Sequence, residues 1–420
     1  MLDKKTTIKD GITFHKIETN KFKTNLFSVF LTIPLNRETV TKNALITAIL
    51  RRGTKKLLSQ EEISKKLEEM YGASFDCGIE KTGDYQTIKF YLELLNDQFL
   101  PTKVNISKTG INLLLDIAFN PFEENGKFKK EYVEQEKENL KQIIEGKIDD
   151  KASFSYEKCI ESMYKNKPYG LYKFGYVEDI DKLNEENLYE QYKELIKTCK
   201  VDIFASGNNL EEIDQTIINN ENIEKLRPRK IEIKEDIIKE KITNPELVTD
   251  SMEVTQGKLV MGFDIMQNEE NTSYVTMVYN TILGVGANSK LFQNVREKAS
   301  LAYYCSSNYI KRKANIIIRA GIEIPNFNKT VEIINKQLED MKQGKFTDGD
   351  VESAKNLIFA TINNIEEEQD TEISYYFGQE LANKLETVEE YKNKIENVTK
   401  DQVISLAKQI QLNTIYFLKD

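Results

Sequence analysis

Apolar residues recur along the chain in two patterns, one typical of buried strands and one typical of helices. Residues 26–35 are apolar and partly β-branched, which predicts a buried strand. Residues 44–50 are apolar with a helical composition. Ser59 then begins an amphipathic segment that ends near Gly72, and Glu62 stands where a capping box has its acidic residue. The predicted order is therefore strand, apolar helix and amphipathic helix.

Two strand-like segments follow, at residues 73–79 and 86–94. Residues 81–84 between them (Lys-Thr-Gly-Asp) predict a hairpin. Helical patterns dominate residues 111–198, and residues 201–205 predict a further strand. The first half of the chain therefore mixes strands and helices in one unit.

The second half repeats this order of elements. Its segments are strand-like at 258–266, 303–309, 314–324 and 414–418, and helical at 274–283, 289–298 and 328–410. This repeat predicts an α+β fold built from two homologous domains, each a sheet with helices packed mainly on one face. The order of the strands within each sheet does not follow from the pattern.

The two halves are joined by a stretch that is rich in charge. Residues 223–245 contain Pro228 and Pro245, so we expect a solvated linker there. The predicted domains are therefore residues 1–222 and residues 246–420.

Composition and charge narrow the class of protein. The formal net charge is −9, which argues against a nucleic-acid-binding protein, because such proteins normally have a concentrated basic face. No stretch has the run of apolar residues that a membrane span needs, and the first residues do not resemble a signal peptide. We expect a cytoplasmic protein that binds neither nucleic acid nor membrane.

The histidine and the cysteines restrict the possible chemistry further. His15 is the single histidine and lies in a strand-like stretch, so the chain has no histidine pair to bind zinc. The four cysteines are far apart and form no Cys-x-x-Cys pair, which favours reduced thiols without a metal. They are Cys77, Cys159, Cys199 and Cys305.

The sharpest motif lies in the second half, at residues 289–303 (SKLFQNVREKASLAY). It resembles the C-terminal signature of the insulinase/pitrilysin-type zinc peptidases, in which Arg-Glu-x-x-Gly-Leu-x-Tyr follows a Leu-Phe pair. Ser300 is the one departure, because the family usually has glycine there. The resemblance implies that Arg296 and Tyr303 contact the backbone of a peptide substrate.

The first half is similar to the same family. Residues 44–54 (ALITAILRRGT) lie where the family has His-Phe-Leu-Glu-His-Met-Leu-Phe-Lys-Gly-Thr. Residues 136–142 resemble the stretch before the third zinc ligand, and residues 59–63 and 72–75 keep the register. The resemblance covers nearly the whole chain, although residues 95–131 form a longer span than the family usually has.

The positions of the zinc site are changed in this chain. In the family's inverted motif, histidines at i and i+4 share one helix face and hold the metal, and a glutamate at i+3 is the general base. Here the ligand positions are Ala44, Ala48 and Ile143, and the base position is Thr47. The resemblance therefore implies no metal and no catalytic residue in this chain, with zinc only in a partner.

An acidic stretch offers an alternative source of metal ligands. It comprises Glu131, Glu134, Glu136, Glu138 and Glu145. Carboxylates without an imidazole or thiolate partner make poor zinc sites, so a solvated charged helix face is the favoured interpretation.

The resemblance also implies a place for a peptide. In the family an extended substrate adds to an edge strand, which corresponds here to Ala73, Ser74 and Phe75 at the start of the first hairpin. Unpaired backbone groups at a strand edge bind peptides with little dependence on their side chains. A strand that is merely capped by a loop remains the alternative.

Together these features resemble the bacterial YmfF-type subset of the family, whose members lack the zinc motif. The first hypothesis is a non-catalytic subunit that binds peptide and complements a zinc-bearing paralogue, or self-associates. The second is a scaffold or binding protein with no role in proteolysis. An independent enzyme is disfavoured, because the chain has no P-loop, nucleophile elbow or dinucleotide fingerprint.

Overall fold

The computed structural model describes residues 4–231, 233, 239, 241–266, 269 and 271–420. The strands are β1 (Lys4–Lys9), β2 (Ile12–Glu18), β3 (Thr24–Pro34), β4 (Ser74–Thr82), β5 (Tyr85–Leu95), β6 (Lys200–Gly207), β7 (Glu246–Ser251), β8 (Gly257–Ile265), β9 (Ala302–Ile310), β10 (Asn315–Ile322) and β11 (Ile410–Lys419). The helices are α1 (Val40–Leu50), α2 (Gln60–Glu69), α3 (Ile106–Phe119), α4 (Lys130–Gly146), α5 (Lys151–Met163), α6 (Val177–Ile180), α7 (Glu185–Thr198), α8 (Glu211–Ile218), α9 (Glu221–Lys225), α10 (Thr272–Gly284), α11 (Phe327–Lys342), α12 (Asp348–Asn363), α13 (Gln369–Leu381), α14 (Val388–Glu396) and α15 (Lys400–Ala407). A π-helical segment, Phe292–Lys298, lies between α10 and β9.

The chain divides into two compact units, and neither is continuous in sequence. Unit 1 comprises Met1–Glu145, Leu171–Lys234 and Glu366–Thr387. Unit 2 comprises Gly146–Gly170, Glu235–Ile365 and Val388–Asp420. Each unit therefore includes a helix from the other half of the sequence, whereas the domains predicted from the sequence were two continuous ranges.

The two units have sheets of the same design. In unit 1 the strand order is β1-β2-β6-β3-β5-β4, and in unit 2 it is β7-β11-β8-β10-β9. The β2–β6 and β7–β11 pairs are parallel, and every other pair is antiparallel. If β1 is set aside, each strand of unit 1 has a counterpart in the same place in unit 2. The predicted α+β class with two homologous domains is confirmed.

The sheet of unit 1 is buried on both faces. Alternate residues of β3, such as Phe27, Val29 and Leu31, point into a large apolar core that also takes in α1, α3 and α7. The intervening residues Leu26 and Phe30 point to the other face. There they pack against α13.

The sheet of unit 2 has a similar arrangement. Helix α5 packs against β8 and β11, with Phe154 and Ile160 in one apolar cluster with Val260 and Tyr416. Both exchanged helices, α13 and α5, therefore cover the sheet face that lies opposite the main helical layer. Helices lie mainly on one face of each sheet, as the sequence predicts.

The prediction of a solvated linker at residues 223–245 is wrong for two charged residues that the structure describes there. Residues 232, 234–238 and 240 lie outside the described residues. Arg229, however, is 8% exposed, and its Nη1 donates to the carbonyl of Cys199 at 3.1 Å and to that of Ile196. The Lys239 side chain is only 9% exposed in unit 2, where it pairs with Asp264 at 2.8 Å. These charges are not solvated, because each bonds a buried acceptor.

Two local predictions also differ from the structure. The amphipathic segment before β9 is π-helical rather than α-helical. Ser59 caps α2 by accepting from the Glu62 amide at 3.2 Å. The Glu62 carboxylate, however, accepts from the amide of Leu58 at 2.6 Å, so the reciprocal half of the capping box is shifted by one residue. None of the helices in the described ranges has the length and apolar character that crossing a bilayer requires.

Candidate functional site

Helix α1 carries three of the four positions that correspond to the zinc site. Ala44 and Thr47 are buried, and Ala48 is half-buried. The Thr47 hydroxyl donates to the carbonyl of Asn43 at 2.8 Å. That bond points the hydroxyl back along the helix, as is common for threonine in a helix interior.

A buried amide network fixes the position of α1. Asn43 donates to the Gln86 side chain at 3.0 Å and accepts from Gln191 at 3.1 Å. Gln86 in turn donates to the carbonyl of Val40 at 3.1 Å. Since β5 and α7 supply these partners, the helix is held in place even though its zinc-ligand positions carry no donor atoms.

The fourth position, Ile143, lies on α4 and is 48% exposed. Nearer the start of α4, Glu136 is 8% exposed and pairs with Arg52 at 3.0 Å. The prediction of a fully solvated acidic face is therefore wrong at Glu136, because Arg52 neutralises it. The other members are exposed: Glu131, Glu134, Glu138 and Glu145.

This donor set does not fit zinc. The side chains of Ala44, Ala48 and Ile143 have no lone pair, and the hydroxyl of Thr47 already has a partner. A catalytic zinc site needs three protein ligands of nitrogen, oxygen or sulfur. These positions therefore cannot hold a catalytic zinc ion.

Within the described ranges, one group of side chains has its potential ligand atoms close enough together to bind a metal ion. His15, Asp202 and Glu380 are buried in unit 1, with ligand atoms within 4.8 Å of one another. The carboxylates already have cations, since Lys200 lies 2.6 Å from Asp202 and Lys5 lies 2.8 Å from Glu380. Burial alone raises the pKa of Asp202, but the hydrogen bond with His15 and the charge of Lys200 hold that pKa below its usual value.

Strand β4 forms one edge of the unit 1 sheet. The predicted peptide-binding residues lie at its start: Ser74 is exposed, and Ala73 and Phe75 are half-buried. The chain enters the strand through Tyr71 and Gly72, which have φ of 60° and 75°. Within the part of the chain that the structure describes, β5 is the only strand beside β4, so β4 is an outer strand of the sheet.

Arg51 links α1 to this edge, and it is absent from the site residues predicted from the sequence. Its Nη1 donates to the carbonyl of Cys77 at 3.5 Å, and its Nη2 lies 3.4 Å from the carboxylate of Asp76. The spacing from Ala44 and Ala48 is a signal that could have found it. Positions i, i+4 and i+7 of a helix share one face.

Arg296 and Tyr303 lie in unit 2 at the predicted C-terminal motif. Arg296 is in the π-helical segment, and Tyr303 is 56% exposed at the start of β9. The chain turns between them at Ser300, which has φ of 51°. Both residues line one cavity of about 430 Å³, together with Glu297 and Glu323.

Two contacts hold the Arg296 side chain. Its guanidinium lies over the ring of Phe292, 4.6 Å from the centroid. Its Nε is 3.6 Å from the Glu297 carboxylate. The side chain is 43% exposed, so it keeps a solvent-facing side with which it can donate to a peptide carbonyl.

The four cysteines are buried and unpaired. Burial raises the pKa of Cys159, Cys199 and Cys305 to about 12 and raises that of Cys77 as well. Thiols with a raised pKa are poor nucleophiles and poor metal ligands at neutral pH.

The chain is similar to a known protein family and to individual proteins of Bacillus subtilis. A family model described as "Peptidase M16 inactive domain" matches residues 182–358. The chain is 35% identical over 413 residues to a Bacillus subtilis (strain 168) protein named "Probable inactive metalloprotease YmfF", covering 97% of this chain and 96% of that protein. It is also 27% identical over 168 residues to "Uncharacterized zinc protease YmxG" of the same organism, covering 39% of this chain and 41% of that protein.

Among solved structures, a conserved protein from Enterococcus faecalis V583 has the same fold. The TM-score is 0.90 at 26% sequence identity, and the match covers 99% of this chain and 98% of that one. The similarity therefore extends over both units.

Proposed function

Because the chain belongs to the M16 peptidase family, the insulinase/pitrilysin type, and is an inactive homologue within it, we propose that it is a non-catalytic subunit of a peptidase. In this role it binds peptide and complements a zinc-bearing paralogue in proteolysis or peptide processing. One observation carries the proposal. The chain has no donor atom at the three zinc-ligand positions, Ala44, Ala48 and Ile143, yet it keeps Arg296 and Tyr303 on one open cavity.

The zinc-ligand positions have lost their donor atoms, in contrast to the cavity that Arg296 and Tyr303 line. Arg296 and Tyr303 line the same cavity, and both side chains are exposed, so both can reach a peptide that enters it. Both groups donate hydrogen bonds to carbonyl oxygens, and such donors stabilise an oxyanion that forms in a partner's active site. A subunit that complements a zinc-bearing chain needs these donors and does not need the metal.

The edge of β4 supports the peptide-binding part of the proposal. Ala73, Ser74 and Phe75 lead into an outer strand, and an extended peptide can add to such a strand through backbone hydrogen bonds. Capping of that edge by a loop would leave only the cavity of unit 2 for peptide.

The proposed partner is a zinc-bearing member of the same family. Bacillus subtilis has one relative named inactive and another named a zinc protease, which supports a pairing of the two kinds in one cell. Self-association is the alternative assembly. Absence of nucleic-acid and membrane partners and a cytoplasmic location stay predictions from the sequence.

The test is reconstitution with a zinc-bearing M16 paralogue from the same genome. The isolated chain is expected to hold no stoichiometric zinc and to cleave no peptide, while the mixture cleaves faster than the paralogue alone. Arg296→Ala and Tyr303→Phe should each leave assembly intact and lower turnover by about tenfold or more. Elemental analysis, size-exclusion chromatography and a fluorogenic peptide measure the three quantities.

Arg227 is the matched control, because it is an exposed arginine of unit 1. Arg227→Ala changes the net charge equally and should leave turnover unchanged. If the Arg296 and Tyr303 variants turn over peptide like the unmodified complex, the complementing role is wrong and the scaffold function replaces it. One tightly bound zinc per isolated chain, lost together with activity on chelation, would also overturn the proposal.

A further inference from the structure

Arg51 occupies the helix face that the zinc positions define. Ala44, Ala48 and Arg51 are spaced i, i+4 and i+7, which brings them to one side of an α-helix. Arg51 is the C-terminal cap of α1 and has helical φ and ψ of −74° and −14°, so this spacing holds through to the cap. The face therefore presents two methyl groups and one guanidinium.

The present contacts of this guanidinium are weak. The 3.5 Å donor–acceptor distance to the Cys77 carbonyl is at the limit for a hydrogen bond. The pair with Asp76 is 3.4 Å long, and the two side chains are 43% and 70% exposed. Exposed ion pairs of this kind contribute little to stability, so a competing ligand can replace them.

The next residue, Arg52, has stronger contacts than Arg51. Arg52 is 23% exposed and lies 3.0 Å from Glu136, which is itself buried. Its guanidinium also stacks over the ring of Tyr132, 4.9 Å from the centroid. Arg52 therefore has a structural role, whereas Arg51 is a cation with replaceable partners beside a sheet edge.

We propose that Arg51 is a specificity-determining residue that binds a carboxylate of a peptide lying along β4. This inference rests on the proposed peptide-binding function and adds the chemical class of the ligand. A guanidinium recognises a carboxylate with two parallel N–H···O bonds, which a neutral group cannot match. Asp76 is then the internal carboxylate that holds Arg51 until the peptide replaces it.

The ligand carboxylate has two possible sources, an acidic side chain or the C-terminus of the peptide. Both present the same pair of oxygens to Arg51. In either case the positive charge lies on the helix face that carries the zinc-ligand positions Ala44 and Ala48, so the changed site selects peptides by charge. A neutral peptide gains only the backbone bonds of the strand edge.

The test measures binding of three short peptides of alternating threonine and valine, each with a neutral dansyl label at the N-terminus. The first has an amidated C-terminus, the second has a free C-terminal carboxylate, and the third is amidated and has one central glutamate. We expect one of the two acidic peptides to bind about tenfold more tightly than the neutral peptide at low salt. The acidic peptide that binds more tightly than the neutral peptide identifies the source of the carboxylate.

Substitutions test whether Arg51 itself, rather than the overall charge of the protein, causes the preference for an acidic peptide. Arg51→Gln should remove the preference for the acidic peptide, whereas Arg51→Lys should keep part of it as a point charge. Asp76→Asn should strengthen the preference, because it removes the competing carboxylate. Arg227→Gln removes the same charge at an exposed position of unit 1, so it is the matched control and should keep the preference.

The outcomes distinguish this inference from the proposed function. If all three peptides bind equally well, or if Arg51→Gln keeps the preference, the role of Arg51 is wrong while peptide binding stands. If none binds at saturating concentration, with or without the zinc-bearing paralogue, both the peptide-binding function and the role of Arg51 are wrong.

Discussion

At the scale of single residues, the sequence predicts what side-chain chemistry alone decides. Alanine offers no metal ligand in any geometry, so the identities of Ala44 and Ala48 are enough to exclude zinc donors at these two positions of α1. Contacts between distant segments are different. The bond from Arg51 to the Cys77 carbonyl joins residues that are 26 positions apart, and no local pattern encodes it.

Buried charge is a second feature that the sequence could not give. The charge-rich stretch after α9 has the composition of a solvated linker. Arg229 is nevertheless buried, because it bonds carbonyls at the C-terminal end of α7. Composition reports how many charges are present, but only the fold decides which of them find a buried acceptor.

Ser300 gives a prediction at this scale. Its φ of 51° lies in the left-handed region, where a side chain costs roughly 1–2 kcal/mol. Glycine avoids that cost but loses about 0.5–1 kcal/mol of chain entropy on folding. We expect Ser300→Gly to raise the free energy of unfolding by up to about 1 kcal/mol, measured as a higher urea midpoint at unchanged m-value.

Ser306 supplies the control, because it lies in the extended strand β9. Ser306→Gly should lower the free energy of unfolding by about 0.5–1 kcal/mol. Ser300→Val should also be destabilising, since a β-branched residue tolerates a positive φ poorly. Equal losses for the two glycine variants would contradict the idea that Ser300 is strained.

At the scale of elements, periodicity predicted most strands and helices but not which elements pack against one another. The apolar run at residues 26–35 corresponds to β3, and the hairpin corresponds to β4 and β5. The helical pattern of α5 and α13 shows only that each has an apolar face. Which sheet that face covers depends on long-range packing, so the exchange of the two helices between units could not be predicted.

Helix α13 is held by a polar contact that can be tested. Glu380 is 5% exposed and lies 2.8 Å from Lys5 and 3.3 Å from Lys200. Glu380→Gln keeps the shape but removes the charge, leaving both cations with one partner fewer. We expect a loss of about 2 kcal/mol or more in the free energy of unfolding. Hydrogen exchange should rise across residues 369–381 before the rest of unit 1.

Glu389 is the matched control, because it is an exposed glutamate on the next helix, α14. Glu389→Gln should change stability by no more than about 0.5 kcal/mol. If both glutamine variants behave alike, the ion pairs of Glu380 do not stabilise α13 and the prediction is wrong.

At the scale of the whole molecule, the duplication is visible in the sheets. The strand order and the sense of each pair repeat from unit 1 to unit 2, as the repeated order of elements in the sequence predicts. The exchanged helices also correspond, since α5 and α13 follow α4 and α12 at the same place in each half. The two sequence halves are therefore similar in pattern, but each depends on the other for one helix.

This dependence predicts that neither half folds properly alone. A piece covering residues 1–233 lacks α13, so Leu26, Phe30 and Phe204 lose their apolar cover, and its own α5 has no sheet to pack on. We expect this piece and the piece covering residues 239–420 to aggregate or unfold without a cooperative transition when separate, because each exposes an apolar face. Mixed during refolding, they should form a one-to-one complex with a single urea transition. Phe377 stacks on Phe30 at 3.9 Å, so Phe377→Asp in the second piece should weaken reassembly. A monomeric 1–233 piece with a transition as steep as that of the full chain would contradict the prediction and support two independent, continuous domains.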